Sequence, residues 1–476
     1  MDTPVCDFVR RYTAGNPGRL HMPGHKGKTV LGPEALDITE IPGADVLYAP
    51  EGILRESEAH ASELFGSVRT VYSTEGSSLC IRAMLYLALQ HAALLGRQPR
   101  IAAGRNAHRV FPEAAALLGL EPVWLYGRDA LKPEGKEVGL LTCRVTPEEL
   151  EPLFENPETA PTAVYVTSPD YLGCQTDLRP LAELCHRNAA LLLVDNAHGA
   201  YLRFLGEGLH PLEQGADLCC DSAHKTLPVL TGGAWLHMGQ TCPAALLPMA
   251  DRAMALFAST SPSYLTLQSL DGMNRLLAEG YPARLRETAD RIRALKKDLQ
   301  GLGWHLAGDE PMKITLLPKK QGYTGAELAA VLRDRGIFCE FYDPDYLVLM
   351  PSPETGEQEY RRLGECLAGL PKRDPVRTCP PEPGRPNPVM SLREAVLSPF
   401  EEIPAEESLG RILSDPGVSC PPAVPIVLCG ERIDEAALRL FRYYGIRSCR
   451  VLTEAGRPKT AAEQGTPVPA HEPELN

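Results

Sequence analysis

Asp221-Ser222-Ala223-His224-Lys225-Thr226 is the stretch whose reading decides the fold, taken with Val194-Asp195-Asn196-Ala197-His198-Gly199 upstream of it. Each follows an apolar run of strand type, Ala216–Cys220 and Leu191–Val194. Reactive side chains therefore stand at the carboxyl ends of two strands, where open α/β sheets hold their ligands. A lone lysine in such a place reads as a solvated surface residue, and a lone aspartate as a helix cap. Together they supply what pyridoxal phosphate requires. Lys225 offers an amine for a Schiff base, and Asp195 a carboxylate that keeps the pyridine nitrogen protonated so that the ring withdraws electrons. Ser222 and His224, beside the lysine, are suited to holding the phosphate.

A third stretch, Ser73-Thr74-Glu75-Gly76-Ser77-Ser78, precedes the Ala/Leu-rich run Leu79–Leu89, which reads as a buried helix. Gly76, Ser77 and Ser78 would bring free backbone N–H groups, two hydroxyls and the positive end of the helix dipole, a seat for phosphate. An ordinary serine N-cap is the plain alternative. The three stretches in this order favour the cofactor.

The chain resembles the Orn/Lys/Arg decarboxylase family of fold-type-I pyridoxal-phosphate enzymes, in the short form without a response-regulator-like amino-terminal domain. The residues that carry the resemblance run nearly end to end. They are His21-Met22-Pro23-Gly24-His25-Lys26-Gly27, Gly76-Ser77-Ser78, Arg105-Asn106-Ala107-His108, Thr167-Ser168-Pro169-Asp170-Tyr171 and Asp195-Asn196-Ala197-His198-Gly199. Further on come Ser222-Ala223-His224-Lys225-Thr226, Ser259-Thr260-Ser261-Pro262-Ser263-Tyr264, Pro421-Pro422-Ala423-Val424-Pro425 and Gly430-Glu431-Arg432-Ile433.

Composition sets bounds. A net charge of −13 argues against nucleic acid and anionic membranes as partners and suits a cationic substrate. No stretch reaches a membrane span, and the amino terminus has no signal-peptide pattern. The 14 cysteines form no CxxC pair and lie mostly in apolar segments, as reduced thiols of a cytoplasmic protein do. No metal site is expected.

The expected fold is α/β, an aspartate-aminotransferase-like large domain with a mostly parallel sheet, then a small α+β domain and a small carboxy-terminal domain. Residues 1–50 read as an amino-terminal arm from which no core can be built, 51–270 as the cofactor-binding domain and 271–370 as the α+β domain. A Pro-rich, charged linker at 371–390 leads to a unit at 391–452 and a disordered tail at 453–476. Short apolar strands alternate with helices from residue 77 onward, which implies a sheet covered on both faces. The helix at Thr146–Glu155 is expected to be capped by Thr146, and that at Thr324–Arg335 by Thr324. Ile337–Glu340 and Tyr346–Met350 are expected strands, and one strand, Ile426–Leu428, is expected in the last unit.

The resemblance implies roles. Lys225 is the Schiff-base lysine, Asp195 the partner of the ring nitrogen, and His198 a neighbour of the ring; Ser222 and His224 contact the phosphate or surround the lysine. It implies that His108 stacks on the ring, where the residues alone read as a buried, hydrogen-bonded histidine. It also implies a homodimer or higher oligomer in which Ser259 and Thr260 reach the partner's cofactor; a plain surface loop is the alternative. The expected activity is decarboxylation of a basic amino acid, arginine first, then lysine or ornithine. An aminotransferase or other lyase on the same fold is the rival, since such sheets host many reactions. A catalytically dead homologue would have no reason to keep both Lys225 and Asp195. An aminotransferase usually pins the substrate carboxylate with an arginine; Arg361 and Arg362 fall mid-helix and read as a solvated face. Glu340, Asp343 and Glu431 are candidates for reading the substrate's far cation. Asn196, Glu75, Ala423 and Gly232-Gly233-Ala234 depart from the family's usual residues, and Glu75 would add negative charge near the phosphate seat.

Overall fold

The computed structural model describes residues 1–127, 143–384, 387–419 and 424–454. The Pro421-Pro422-Ala423 match and nearly all of the expected tail lie outside them.

Helices α1 (Pro4–Ala14), α2 (Ile53–Phe65), α3 (Gly76–Leu94), α4 (Val110–Leu118), α5 (Pro147–Phe154) and α6 (Arg179–Arg187) alternate with strands. The strands are β1 (Arg69–Ser73), β2 (Ile101–Gly104), β3 (Pro122–Leu125), β4 (Ala163–Thr167), β5 (Leu191–Asp195), β6 (Leu218–Asp221) and β7 (Ala234–Met238). They form one sheet in the order β1-β7-β6-β5-β4-β2-β3. From β6 to β3 it is parallel, while β7 runs antiparallel to both its neighbours. The alternation along a strand is what fills both faces: Leu191 and Leu193 join the cluster under α3 and α4, and Leu192 and Val194 the one under α5 and α6. Strand β1 has no counterpart in the sequence reading. Its Arg69-Thr70-Val71-Tyr72-Ser73 earns a central-type burial only by pairing with β7 across the chain.

After α7 (Ala223–Thr226) and α8 (Ala250–Ala255), α9 (Tyr264–Glu279) and α10 (Tyr281–Gly301) run on from one another, broken at Gly280 as the sequence suggests. A second, antiparallel sheet follows, ordered β10-β11-β9-β8. Its strands are β8 (Leu306–Ala307), β9 (Ile314–Leu316), β10 (Phe341–Tyr342) and β11 (Leu347–Leu349), flanked by α11 (Gly325–Asp334) and α12 (Glu357–Ala368). The strand expected at Ile337–Glu340 lies instead at Phe341–Tyr342, where the hairpin register pairs Tyr342 with Leu347. Phe338 is left exposed. Beyond α13 (Leu392–Leu397), β12 (Phe400–Pro404) pairs with β15 (Ser448–Leu452) and β13 (Gly417–Ser419) with β14 (Pro425–Leu428), beside α14 (Glu435–Tyr444). Three of these four strands went unread in the sequence.

Two local expectations need correction. The amino-terminal arm does build core: Val5, Val9, Ile38 and Ala44 are buried in the cluster that also holds Leu54 and Tyr264. Helix α1 lays its apolar stripe on α2 and α9, and Cys6 N–H donates to Asp271 at 2.9 Å. The Thr146 side chain makes no cap bond: the Glu149 N–H donates to the Thr146 backbone carbonyl at 3.1 Å, and the Glu149 carboxylate accepts from Tyr126 N–H at 2.7 Å. Thr324 does cap α11, reciprocally with Glu327.

Candidate active site

The carboxyl ends of β2, β4, β5 and β6 and the start of α3 converge on a cleft lined by Ser77, Asn106, His108, Asp195, His198 and Lys225. Thr167, the last residue of β4, and Asp170 and Tyr171, just after it, also line it.

Asp195 ends β5 and is buried, accepting from Tyr165 Oη at 3.1 Å and Ala197 N–H at 3.1 Å. Lys225 lies in the single turn of α7, and its Nζ is 3.1 Å from His198 Nε2. Burial holds the Lys225 ammonium below its ordinary range, partly opposed by Asp195. A depressed lysine is a better nucleophile at neutral pH. Burial, followed by the nearby Lys313 and Lys225, drives His198 well below the usual imidazole value. Burial likewise lowers His108 and His224. Burial thus disfavours the charged form at all three histidines.

The segment carrying Lys225 is anchored from beneath. Asp221 ends β6 and accepts from His210 Nε2 at 2.9 Å and Asn196 Nδ2 at 2.6 Å, with His237 Nε2 3.4 Å away. Burial alone would push its carboxyl up; the two histidines hold it well below the carboxylate range. At Asn196, one of the departures from the family's usual residues, an amide N–H can donate to Asp221 where a second carboxylate would be repelled. His210, Cys219 and Asp221 have ligating atoms close enough to suit a metal ion, but the Asp221 oxygens already bond these side chains.

Helix α3 starts at Gly76 with no side chain capping it, so Ser77 and Ser78 fall inside its first turn and the serine N-cap reading does not hold. Gly76 N–H donates to Gly232 O at 2.7 Å. Gly232 is at φ +94°, and a Cβ there would meet Thr74 O at 2.5 Å, so only glycine allows this approach. His224 Nδ1 donates to Gly233 O at 3.0 Å, which leaves Nε2 as its free nitrogen. Glu75 turns away from the phosphate seat and accepts from Ser259 N–H at 2.7 Å. Ser259 and Thr260 are exposed beside it, outside the cleft of their own chain.

Of the acidic candidates, Glu431 is committed to Arg105 through two bonds of 2.8 and 2.7 Å, and Asp343 to the N–H groups of Asp345 and Tyr346. Glu340 approaches the cleft, accepting from Tyr171 Oη at 3.0 Å. Arg361 is exposed, and neither it nor Arg362 lines the cleft. Asn106, Asp170 and Tyr171 were visible only as parts of longer motifs. Lys313, whose Nζ is 3.2 Å from His198 Nδ1, carried no functional signal in the sequence.

The fold is that of the fold-type-I pyridoxal-phosphate enzymes. The chain is similar to the constitutive lysine decarboxylase of E. coli, with a TM-score of 0.74 at 17% identity, covering 95% of this chain and 82% of that one. It belongs to the Orn/Lys/Arg decarboxylase family, whose major domain matches residues 3–316. It is 29% identical to an arginine decarboxylase of Halalkalibacterium halodurans over 92% of this chain and 93% of that protein. With an arginine decarboxylase of Bacillus subtilis the identity is 28%, over 91% and 92%. The family expected from the sequence is the one found.

Proposed function

We propose that this chain is a pyridoxal-phosphate-dependent decarboxylase of a basic amino acid, with arginine the first substrate and lysine or ornithine next. The observation that carries the reading is the convergence of the Lys225 amine, the Asp195 carboxylate and the uncapped start of α3 on one cleft. The residues present fit the cofactor. Ser222 Oγ, Thr226 Oγ1 and both amide atoms of Asn106 are buried without a partner in the protein, and buried polar atoms ordinarily have one. A Cβ at Gly76 would stand 3.7 Å from His224 Cε1, so the α3 terminus and His224 flank one spot suited to a phosphate.

When bound, the cofactor supplies an electron sink for the pair released as carbon dioxide departs. Lys225 would hold it covalently, and Asp195 would keep its ring nitrogen protonated. Ser77, Ser78, Ser222 and His224 would take the phosphate, whereas the Gly76 N–H, expected to join them, is already given to Gly232 O. His108 would cover the ring face and exclude water, and His198 would present its N–H beside Lys225. Glu340 is the countercharge for the substrate's far cation. None of the described residues lining the cleft is an arginine, which favours a carboxylate free to leave over one pinned for amino transfer. Ser259 and Thr260, exposed at the α3 terminus, would serve the second site of a homodimer.

The test is product analysis by chromatography after incubation with arginine, lysine and ornithine separately, with Lys225→Ala as control. The expected product is the amine lacking the carboxyl carbon, formed by the wild type alone. Accumulation of a keto acid would make the aminotransferase the better reading.

A further inference from the structure

Lys313, just before β9, brings one cation from the second sheet into the site. It is 3% exposed, and its Nζ meets three acceptors: Asp170 O at 3.2 Å, Tyr171 O at 3.3 Å and His198 Nδ1 at 3.2 Å. An ammonium has three N–H donors and no acceptor. The Tyr171 ring centroid lies 5.7 Å from the same Nζ, a distance at which an aromatic face attracts a cation. Three residues earlier, Glu310 is buried, fixed by Tyr201 Oη at 2.5 Å and by the backbone N–H of Lys313.

His198 therefore stands between two lysines, Lys313 on Nδ1 and Lys225 on Nε2. A neutral imidazole has one N–H and one lone pair, so it cannot accept from both. A protonated ring would donate on both sides and need both lysines as free amines, and burial disfavours that charge on the imidazole. One lysine is then charged and the other is a free amine. The shells decide which. Lys313 has two carbonyls, an aromatic face and Glu310 about it, whereas the Lys225 amine has His198 as its hydrogen-bond partner.

We infer that Lys313 is a positioning residue whose ammonium fixes His198 as the neutral Nε2–H tautomer, so that His198 donates to Lys225 and holds it as the free amine. This rests on the reading of Lys225 as the attachment lysine. The groups facing the chain are His108, His224 and Asp195 around Lys225 and His198, and Asp170, Glu310 and Glu340 around Lys313. Without Lys313, Nδ1 loses its donor, the tautomer is released and the positive charge can move to Lys225.

Two measurements test this on the full chain freed of cofactor. ¹⁵N NMR of the histidine rings should show the hydrogen of His198 on Nε2 and none on Nδ1; a wild-type ring protonated on Nδ1 overturns the inference without any variant. The second follows the rate at which added pyridoxal phosphate becomes attached to Lys225, trapped with borohydride and located by peptide mass spectrometry. Between about pH 7 and 9 the wild-type rate should be nearly flat. In Lys313→Met it should be about tenfold lower at the acid end, a one-unit rise in the Lys225 pKa, and Lys313→Arg should restore most of the loss. A Lys313→Met profile equal to wild type overturns the inference. Attachment persisting in Lys225→Ala would instead overturn the assignment of Lys225.

Discussion

Glu431→Gln separates two readings of one carboxylate. The sequence nominates Glu431 to read a cationic substrate, whereas the structure gives it to Arg105, 326 residues away, through paired bonds of 2.8 and 2.7 Å. Both side chains are nearly inaccessible, at 5% and 6% exposure, and Glu431 also accepts from Leu428 N–H at 2.8 Å. Arg105 immediately precedes Asn106 of the cleft wall, so the pair ties the carboxy-terminal segment to the site. An amide keeps one acceptor but turns an N–H toward the guanidinium, leaving a buried charge half paired. Breaking such a pair costs roughly 3 kcal/mol, whereas replacing both partners by apolar residues of similar size is often close to neutral. That loss is a factor of about 150 in the ratio of folded to unfolded chains. Urea unfolding of wild type, Glu431→Gln and the double variant Arg105→Met/Glu431→Met measures it, with KM for arginine determined on the folded fraction. The expected result is a large loss in the single variant, recovery in the double, and a KM changed by less than about twofold. Wild-type stability with a raised KM would refute the structural role and return Glu431 to the substrate.

Asp195→Asn should keep the cofactor attached while turnover falls by about two orders of magnitude or more, the loss of roughly 3 kcal/mol of transition-state stabilisation; near-normal turnover would move the electron-sink role elsewhere. Glu58 is buried, with Tyr72 N–H on one oxygen and Arg55 3.9 Å from the other, and burial pushes its carboxyl up to about 8 from 4.5. Its folded value is raised, so its stabilising contribution is full below about pH 4.5 and lost as the pH rises through about 8, by at most roughly 5 kcal/mol. Glu58→Gln should therefore gain melting temperature relative to wild type at about pH 8.5 compared with about pH 5, read by calorimetry; an equal difference at both values would show that Glu58 is not neutral in the fold. If Ser259 and Thr260 serve the partner's site, refolding Lys225→Ala together with a Ser259→Ala/Thr260→Ala chain should restore up to about a quarter of the sites. No recovery after proven chain exchange would mean that each site is built from one chain.

What the sequence determined by itself is local. Apolar runs closing on Asp195 and on Ser222–Lys225, and Gly-Ser-Ser opening an apolar helix, are short-range statements about strand ends and a helix start. The parallel sheet puts strand ends on one edge, so such statements also locate a site. What only the tertiary structure decided depends on partners far away in the chain. Strand β1 pairs with β7 more than 160 residues on, and α1 becomes core through α9. Glu431 is taken from the substrate by Arg105, and Lys313 meets His198 across 115 residues. A buried charge is defined by what neutralises it, and that partner has no fixed spacing in sequence. Lys313 therefore reads as an ordinary lysine before a strand until the second sheet closes against the first.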